Sequence, residues 1–226
     1  MKRRQSGSLH SHAIAPPLYY PLFLNLSGKK TVVIGGGKVA ERKMGPLLKA
    51  GAKVTVISPE ITKKIARMKQ KKMVQHIARL YRKGDLKEAF LVIAATDSLP
   101  VNEQVSRDAP CLVNVVDTPH LCNCIVPSTM IRGPLNIAVS TSGISPALSR
   151  SIRKELEKVY GCEFTQYLQS LRKIRQDAMK MIRDKKKRTE FLKCIASEEM
   201  VKKVRSKGLK EIRRTAEDLL KKAKAS

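Results

Sequence analysis

Short apolar runs alternate with amphipathic stretches along the first half of the chain. Residues 31–34 (TVVI) read as a buried strand. They lead into Gly35-Gly-Gly-Lys-Val-Ala40, after which a helical pattern runs to Ala50, with Gly51 as its stop. Residues 53–57 (KVTVI) form a second strand, ended by Ser58-Pro59. A basic amphipathic helix over 60–72 and a third strand over 73–77 follow. The fully apolar run 90–95 (FLVIAA) predicts a central strand. A short helix over 100–108 precedes one more strand over 111–116. Strands and helices alternating at this spacing predict parallel β-α units with right-handed crossovers.

The pattern changes after residue 117. Pro119, Pro127, Gly133 and Pro134 punctuate a loop-rich stretch. Residues 135–140 (LNIAVS) read as a strand. Ser145 is placed to cap a helix that has Pro146 at its first position and runs to about Tyr160. From Cys162 onward there are no strand signals. Two or three basic amphipathic helices are expected there, broken near 185–189 and at Gly208. Residues 1–17 read as a disordered extension. The fold class is therefore α/β: a parallel-sheet domain over 18–125, a small α+β segment over 126–160 and a helical domain over 161–226.

Composition narrows the function classes. Of 226 residues, 42% are hydrophobic and 29% charged, which is globular. The net charge of +27 attracts polyanions, whether nucleic acid, anionic membrane or acidic small molecules, or else reflects a general bias towards Lys and Arg. Aromatic residues are only 4%, with no Trp, which disfavours a site that stacks many bases. No nucleic-acid partner is expected, and the basic tail from Arg172 to Lys224 reads as a solvated helical face. No uncharged apolar run approaches the roughly 20 residues of a membrane span, and no apolar segment of a secretory signal follows the basic start. A cytoplasmic protein without a membrane partner is the expectation. The five cysteines lack a disulfide framework and read as reduced thiols. Cys122-x-Cys124 lacks the spacing of a metal pair, so no metal site is expected.

The chemistry-bearing signal is Gly35-x-Gly37-x-x-Ala40, which follows a strand and opens a helix, the context of a dinucleotide-binding turn. Gly35 permits a tight turn, Gly37 lets backbone approach a pyrophosphate, and Ala40 allows close helix–strand packing. Amides at the helix start then hold the anion. The alternative is a glycine-rich turn with no ligand. The second strand ends in Ser58-Pro59 rather than an acid, so Ser58 is the candidate partner of the ribose hydroxyls. No Arg stands there to demand a 2′-phosphate, which favours NAD over NADP. Asp117, just past a strand end, is placed to move a proton, to ligate a metal or simply to cap the turn before Pro119. Thr96-Asp97 stands similarly after Ala95.

Five blocks resemble the siroheme synthase N-terminal family, the precorrin-2 dehydrogenases and sirohydrochlorin ferrochelatases. They are Val33-Ile-Gly-Gly-Gly-Lys-Val-Ala-Glu-Arg-Lys43, Ile93-Ala-Ala-Thr-Asp97, Val113-Asn-Val-Val-Asp117, Val126-Pro-Ser128 and Ala138-Val-Ser-Thr-Ser-Gly-Ile-Ser-Pro146. They occur in the family's order and spacing over roughly residues 18–160. The resemblance implies a Rossmann-like domain, a dimerisation segment over 126–160, a helical C-terminal domain and a homodimer. It implies oxidation of precorrin-2 to sirohydrochlorin with NAD⁺, followed in some members by Fe²⁺ insertion to give siroheme. By resemblance Asp117 is the catalytic acid/base. Gly35, Gly36, Gly37, Lys38, Val39, Ala40, Ser58, Pro59 and Thr96 match the cofactor-binding region, and Asn114 and Thr141 match positions near the tetrapyrrole. Its rim of acetates and propionates is a small polyanion that suits a basic protein. A competing class is a non-catalytic NAD-sensing domain, which would keep the glycine turn without needing Asp117.

Overall fold

The computed structural model describes residues 18–207 together with Arg214, Thr215 and Asp218. The expected extension over 1–17 and the expected break at Gly208 lie outside the described residues. The chain divides into two compact units, one up to Val126 and the other from Pro127.

The first unit is a five-stranded parallel sheet with the order β3-β2-β1-β4-β5. Its strands are β1 (Lys30–Ile34), β2 (Lys53–Ile57), β3 (Val74–Ile77), β4 (Leu91–Ala94) and β5 (Leu112–Val115). The crossovers carry α1 (Lys38–Lys49), α2 (Lys63–Gln70) and α3 (Leu99–Asp108). This is the Rossmann-like α/β arrangement expected from the sequence. Successive residues of β1 face opposite sides: Val33 joins Ala40, Met44 and Ile65 in one core, while Val32 and Ile34 join Val92 and Val105 in the other. Both cores are closed, which is why the central strands read as continuous apolar runs.

The reversal of strand order falls between β1 and β4. Chains leaving those two strands diverge to opposite faces, and the crevice between them is where ligands bind in open α/β sheets. Helix α2 begins at Lys63 rather than at residue 60, because the Thr62 side chain accepts from the Ile65 amide and caps it there.

The second unit pairs β6 (Ser128–Arg132) and β7 (Leu135–Val139) as an antiparallel hairpin against α4 (Pro146–Val159). Strand β6 falls in a stretch whose prolines and glycine read as loop. Its short alternation, Met130 buried between exposed Thr129 and Ile131, is overshadowed by Pro127 and by the Gly133-Pro134 turn. Gly133 takes a φ of +56° at that turn. Ser145 caps α4 as expected, accepting from the Leu148 amide. Helices α5 (Glu163–Met181), α6 (Lys185–Cys194) and α7 (Glu198–Lys207) follow. Their apolar stripes meet around Phe164, Tyr167, Met200 and Val204, and around Ala178, Ile182, Phe191 and Ile195. The break between α5 and α6 lies at 182–184, not at 185–189. Asp184 accepts from the Lys187 amide and starts α6, so the basic run lies inside a helix.

Candidate active site

The three glycines after β1 have three different reasons to be glycine. Gly35 has a φ of +106°, and a Cβ there would stand 2.3 Å from the Ala95 carbonyl oxygen. A Cβ on Gly36 would stand 2.0 Å from the Glu60 carbonyl oxygen. These two let the loop nest between the segments that leave β4 and β2. Gly37 has an ordinary φ of −79°, lies exposed at the start of α1 and has nothing within 4 Å of a Cβ position. Neither backbone strain nor packing against the protein requires a missing side chain there; Gly37 is the N-cap of α1 and leaves open space in front of the helix start. The turn therefore fits a dinucleotide, whose pyrophosphate would lie against Gly37 and the first amides of α1.

The flanking residues are arranged around this turn. Lys38 is exposed at the first position of α1, Val39 is half-buried, and Ala40 is fully buried where the helix meets the sheet. Ser58 abuts the loop, its Oγ lying 2.9 Å from a Cβ on Gly36, and Pro59 beside it is exposed. The Ser58 carbonyl accepts from His76 Nε2 at 2.8 Å, which fixes the proton on that nitrogen. The other ring nitrogen, Nδ1, is buried with no partner. Thr96 abuts Gly35 through its backbone nitrogen. Its hydroxyl donates to Asn102 Oδ1 at 2.7 Å, while Asn102 Nδ2 donates to the Thr96 carbonyl at 3.0 Å. The Thr96 side chain thus belongs to the start of α3.

Asp117 follows β5, next to β4 in the sheet. It is exposed, its φ is +58°, and no hydrogen bond involves its carboxylate. Turn capping therefore does not occupy it. Left-handed backbone is tolerated by Asp better than by most residues. Asn114 is buried and donates to the Cys124 carbonyl at 3.1 Å. The Val115 amide meets Cys122 Sγ at 3.1 Å, and Asn123 Oδ1 accepts from the Val113 amide at 2.7 Å. These contacts strap residues 122–124 along the edge of β5 and give Cys122 and Cys124 a local structural role. Burial pushes the Cys124 thiol up to about 11. Thr141 lies in the second unit, between β7 and α4, where its hydroxyl meets Ser149 Oγ at 3.1 Å and accepts from the Ser145 amide. Exposed His120, in the 3₁₀ turn Pro119–Leu121, makes no hydrogen bond or ion pair.

Lys43, the last residue of the first family block, is half-buried on α1, within electrostatic range of Asp117, Cys122 and Cys124. Burial pushes its amine below the usual lysine range, Arg42 acts in the same direction, and Asp117 opposes both. Among the described residues no three His, Cys, Asp or Glu side chains gather to hold a metal ion, and no helix is long and apolar enough to cross a membrane.

A glycine turn at the switch point of a 3-2-1-4-5 parallel sheet defines a Rossmann-like nucleotide-binding protein. Comparison with known proteins narrows the class. The family model described as "Putative NAD(P)-binding" matches residues 22–128, and that for the "Sirohaem biosynthesis protein central" segment matches 132–158. Over these two stretches the chain resembles siroheme synthases in their nucleotide-binding and central segments. It is 45% identical over 140 residues to a siroheme synthase of Methylobacillus flagellatus, covering 61% of this chain and 30% of that one. It is 45% identical over 142 residues to one of Pseudomonas fluorescens, covering 62% and 31%. The chain therefore spans about a third of the length of these relatives. The solved structure of SirC, precorrin-2 dehydrogenase, superposes with a TM-score of 0.74 at 26% identity, covering 92% of this chain and all of that one.

Proposed function

We propose that the chain oxidises precorrin-2 to sirohydrochlorin, with NAD⁺ as the hydride acceptor, in siroheme biosynthesis. The observation that carries this reading is the open glycine turn and the unpartnered Asp117 at the carboxyl end of one parallel sheet. The likeness to siroheme synthases and to SirC supports the choice of substrate. The balance is precorrin-2 plus NAD⁺ to sirohydrochlorin, NADH and a proton. The nicotinamide, when bound, takes the hydride.

This chain's residues do the rest. Gly37 and the first amides of α1 hold the pyrophosphate, with Lys38 and Val39 beside it. Ser58, followed by Pro59, offers a hydroxyl to the adenosine ribose, and the absence of an Arg there favours NAD over NADP. Asp117 accepts the proton that leaves the tetrapyrrole. Asn114 ties the strand end that carries Asp117. Thr141, in the second unit, is proposed on the family resemblance alone as a tetrapyrrole-binding residue. We further propose a homodimer built through the 126–160 segment, which is supported by exposed Ile131, Ile144 and Leu148.

The test is an anaerobic absorbance assay with precorrin-2 generated in situ. NAD⁺-dependent appearance of the sirohydrochlorin spectrum supports the dehydrogenase. NADH binding without turnover supports an NAD-sensing domain instead. An Fe²⁺ arm reads metal insertion: a further change faster than the uncatalysed rate adds a ferrochelatase step, and its absence leaves one activity.

A further inference from the structure

Seven cations among the described residues are half-buried, and six of them have partners. Lys30 donates to the Lys87 carbonyl, Arg79 pairs with Asp85, Arg153 with Glu157 and Lys203 with Glu199. Arg132 and Arg188 donate to backbone carbonyls. Lys43 alone has neither hydrogen bond nor ion pair. A partly desolvated ammonium without an acceptor is unfavourable, and proteins normally pair such groups. Its surroundings hold one carboxylate, Asp117, with which it forms no ion pair, together with Arg42, Cys122 and Cys124. An unpartnered cation on α1 and an unpartnered carboxylate past β5 thus lie within electrostatic range of each other without forming an ion pair.

The pyrophosphate proposed at Gly37 would lie about 9 Å up the α1 axis from Lys43, which stands six residues further on. An anion from a second molecule would complete the missing pair.

We propose that Lys43 binds a carboxylate of the tetrapyrrole substrate and so holds the ring against Asp117. This rests on the dehydrogenase reading of the site. A rim carboxylate completes the missing ion pair, and the low-dielectric surroundings strengthen it. The substrate is thereby registered on the face where a proton must leave.

The test measures binding apart from turnover. Uroporphyrin, an octacarboxylate porphyrin, is titrated by fluorescence quenching into the wild type, Lys43→Met and Lys43→Arg, with NADH titrated in parallel. Lys43→Met is expected to weaken porphyrin binding at least tenfold, and Lys43→Arg to restore part of it. NADH affinity and melting temperature stay at wild-type values, which separates binding from a packing role. Equal porphyrin affinity in wild type and Lys43→Met overturns the proposal, as does a parallel loss of NADH affinity. No porphyrin binding by the wild type overturns it too. Porphyrin binding that depends on Lys43, with no oxidation of precorrin-2, keeps the anion site and removes the dehydrogenase reading alone.

Discussion

Gly35 and Ala95 approach so closely that a methyl group on Gly35 would stand 2.3 Å from the Ala95 carbonyl oxygen. The contact joins the ends of β1 and β4, the two strands that flank the reversal of strand order. It makes the geometry of the ligand crevice part of the fold itself. Gly35→Ala and Gly36→Ala therefore damage folding first. Each should lower stability by about 2 kcal/mol or more, through overpacking and, at Gly35, a disfavoured φ. Gly37→Ala meets no neighbour and needs no unusual backbone. It should leave the melting temperature within a few degrees of wild type yet weaken NADH binding at least tenfold. Thermal unfolding and NADH fluorescence titration on the three variants check this. Loss of NADH binding only in the variants that unfold would remove the cofactor assignment of Gly37.

The loop from β3 to β4 is held by a bidentate pair, with Arg79 donating to Asp85 at 2.7 and 2.8 Å. The Arg79 guanidinium, helped by the Arg82 amide, holds the Asp85 carboxyl below the ordinary aspartate range. A depressed carboxylate contributes stability above its unfolded value near 4 and loses it as pH falls through the folded value. Asp85→Asn is thus expected to cost about 2 kcal/mol at pH 7 and less at pH 3, below the unfolded value. Urea unfolding at both pH values measures the difference. An equal cost at both would assign the effect to packing.

The cysteines should separate by rate of alkylation. Cys162 and Cys194 are exposed, whereas Cys111, Cys122 and Cys124 are half-buried with thiols pushed up by desolvation. Thiolates are the reactive form. Iodoacetamide at pH 8 followed by peptide mass mapping should label Cys162 and Cys194 first and Cys124 last. Early labelling of Cys124 would mean that the strap along β5 opens readily.

The strand–turn–helix around Gly35 to Ala40 was legible because buried parallel strands write themselves as apolar runs and the turn needs glycine. The family blocks pointed to Asp117, Asn114 and Thr141 for the same local reason, since each sits in a short ordered string. What was not legible depended on partners distant in sequence. Strand β6 is recognisable only through its pairing with β7. The engagement of the Thr96 hydroxyl depends on Asn102, and the start of α6 on the cap supplied by Asp184. Lys43 stands in the quoted glycine block, yet its isolation is visible only when α1 is laid beside the end of β5. A missing partner leaves no mark in a sequence.

The most direct test of the central claim is the rate of NAD⁺-dependent precorrin-2 oxidation by Asp117→Asn. Asn keeps the size and tolerates the φ of +58°, so the backbone is undisturbed and only the proton-accepting charge is lost. The account predicts a fall in rate of roughly 10²–10⁴, the usual contribution of a general acid or base, with NADH affinity and melting temperature held at wild-type values. Oxidation by Asp117→Asn at the wild-type rate would contradict it and remove Asp117 from the chemistry.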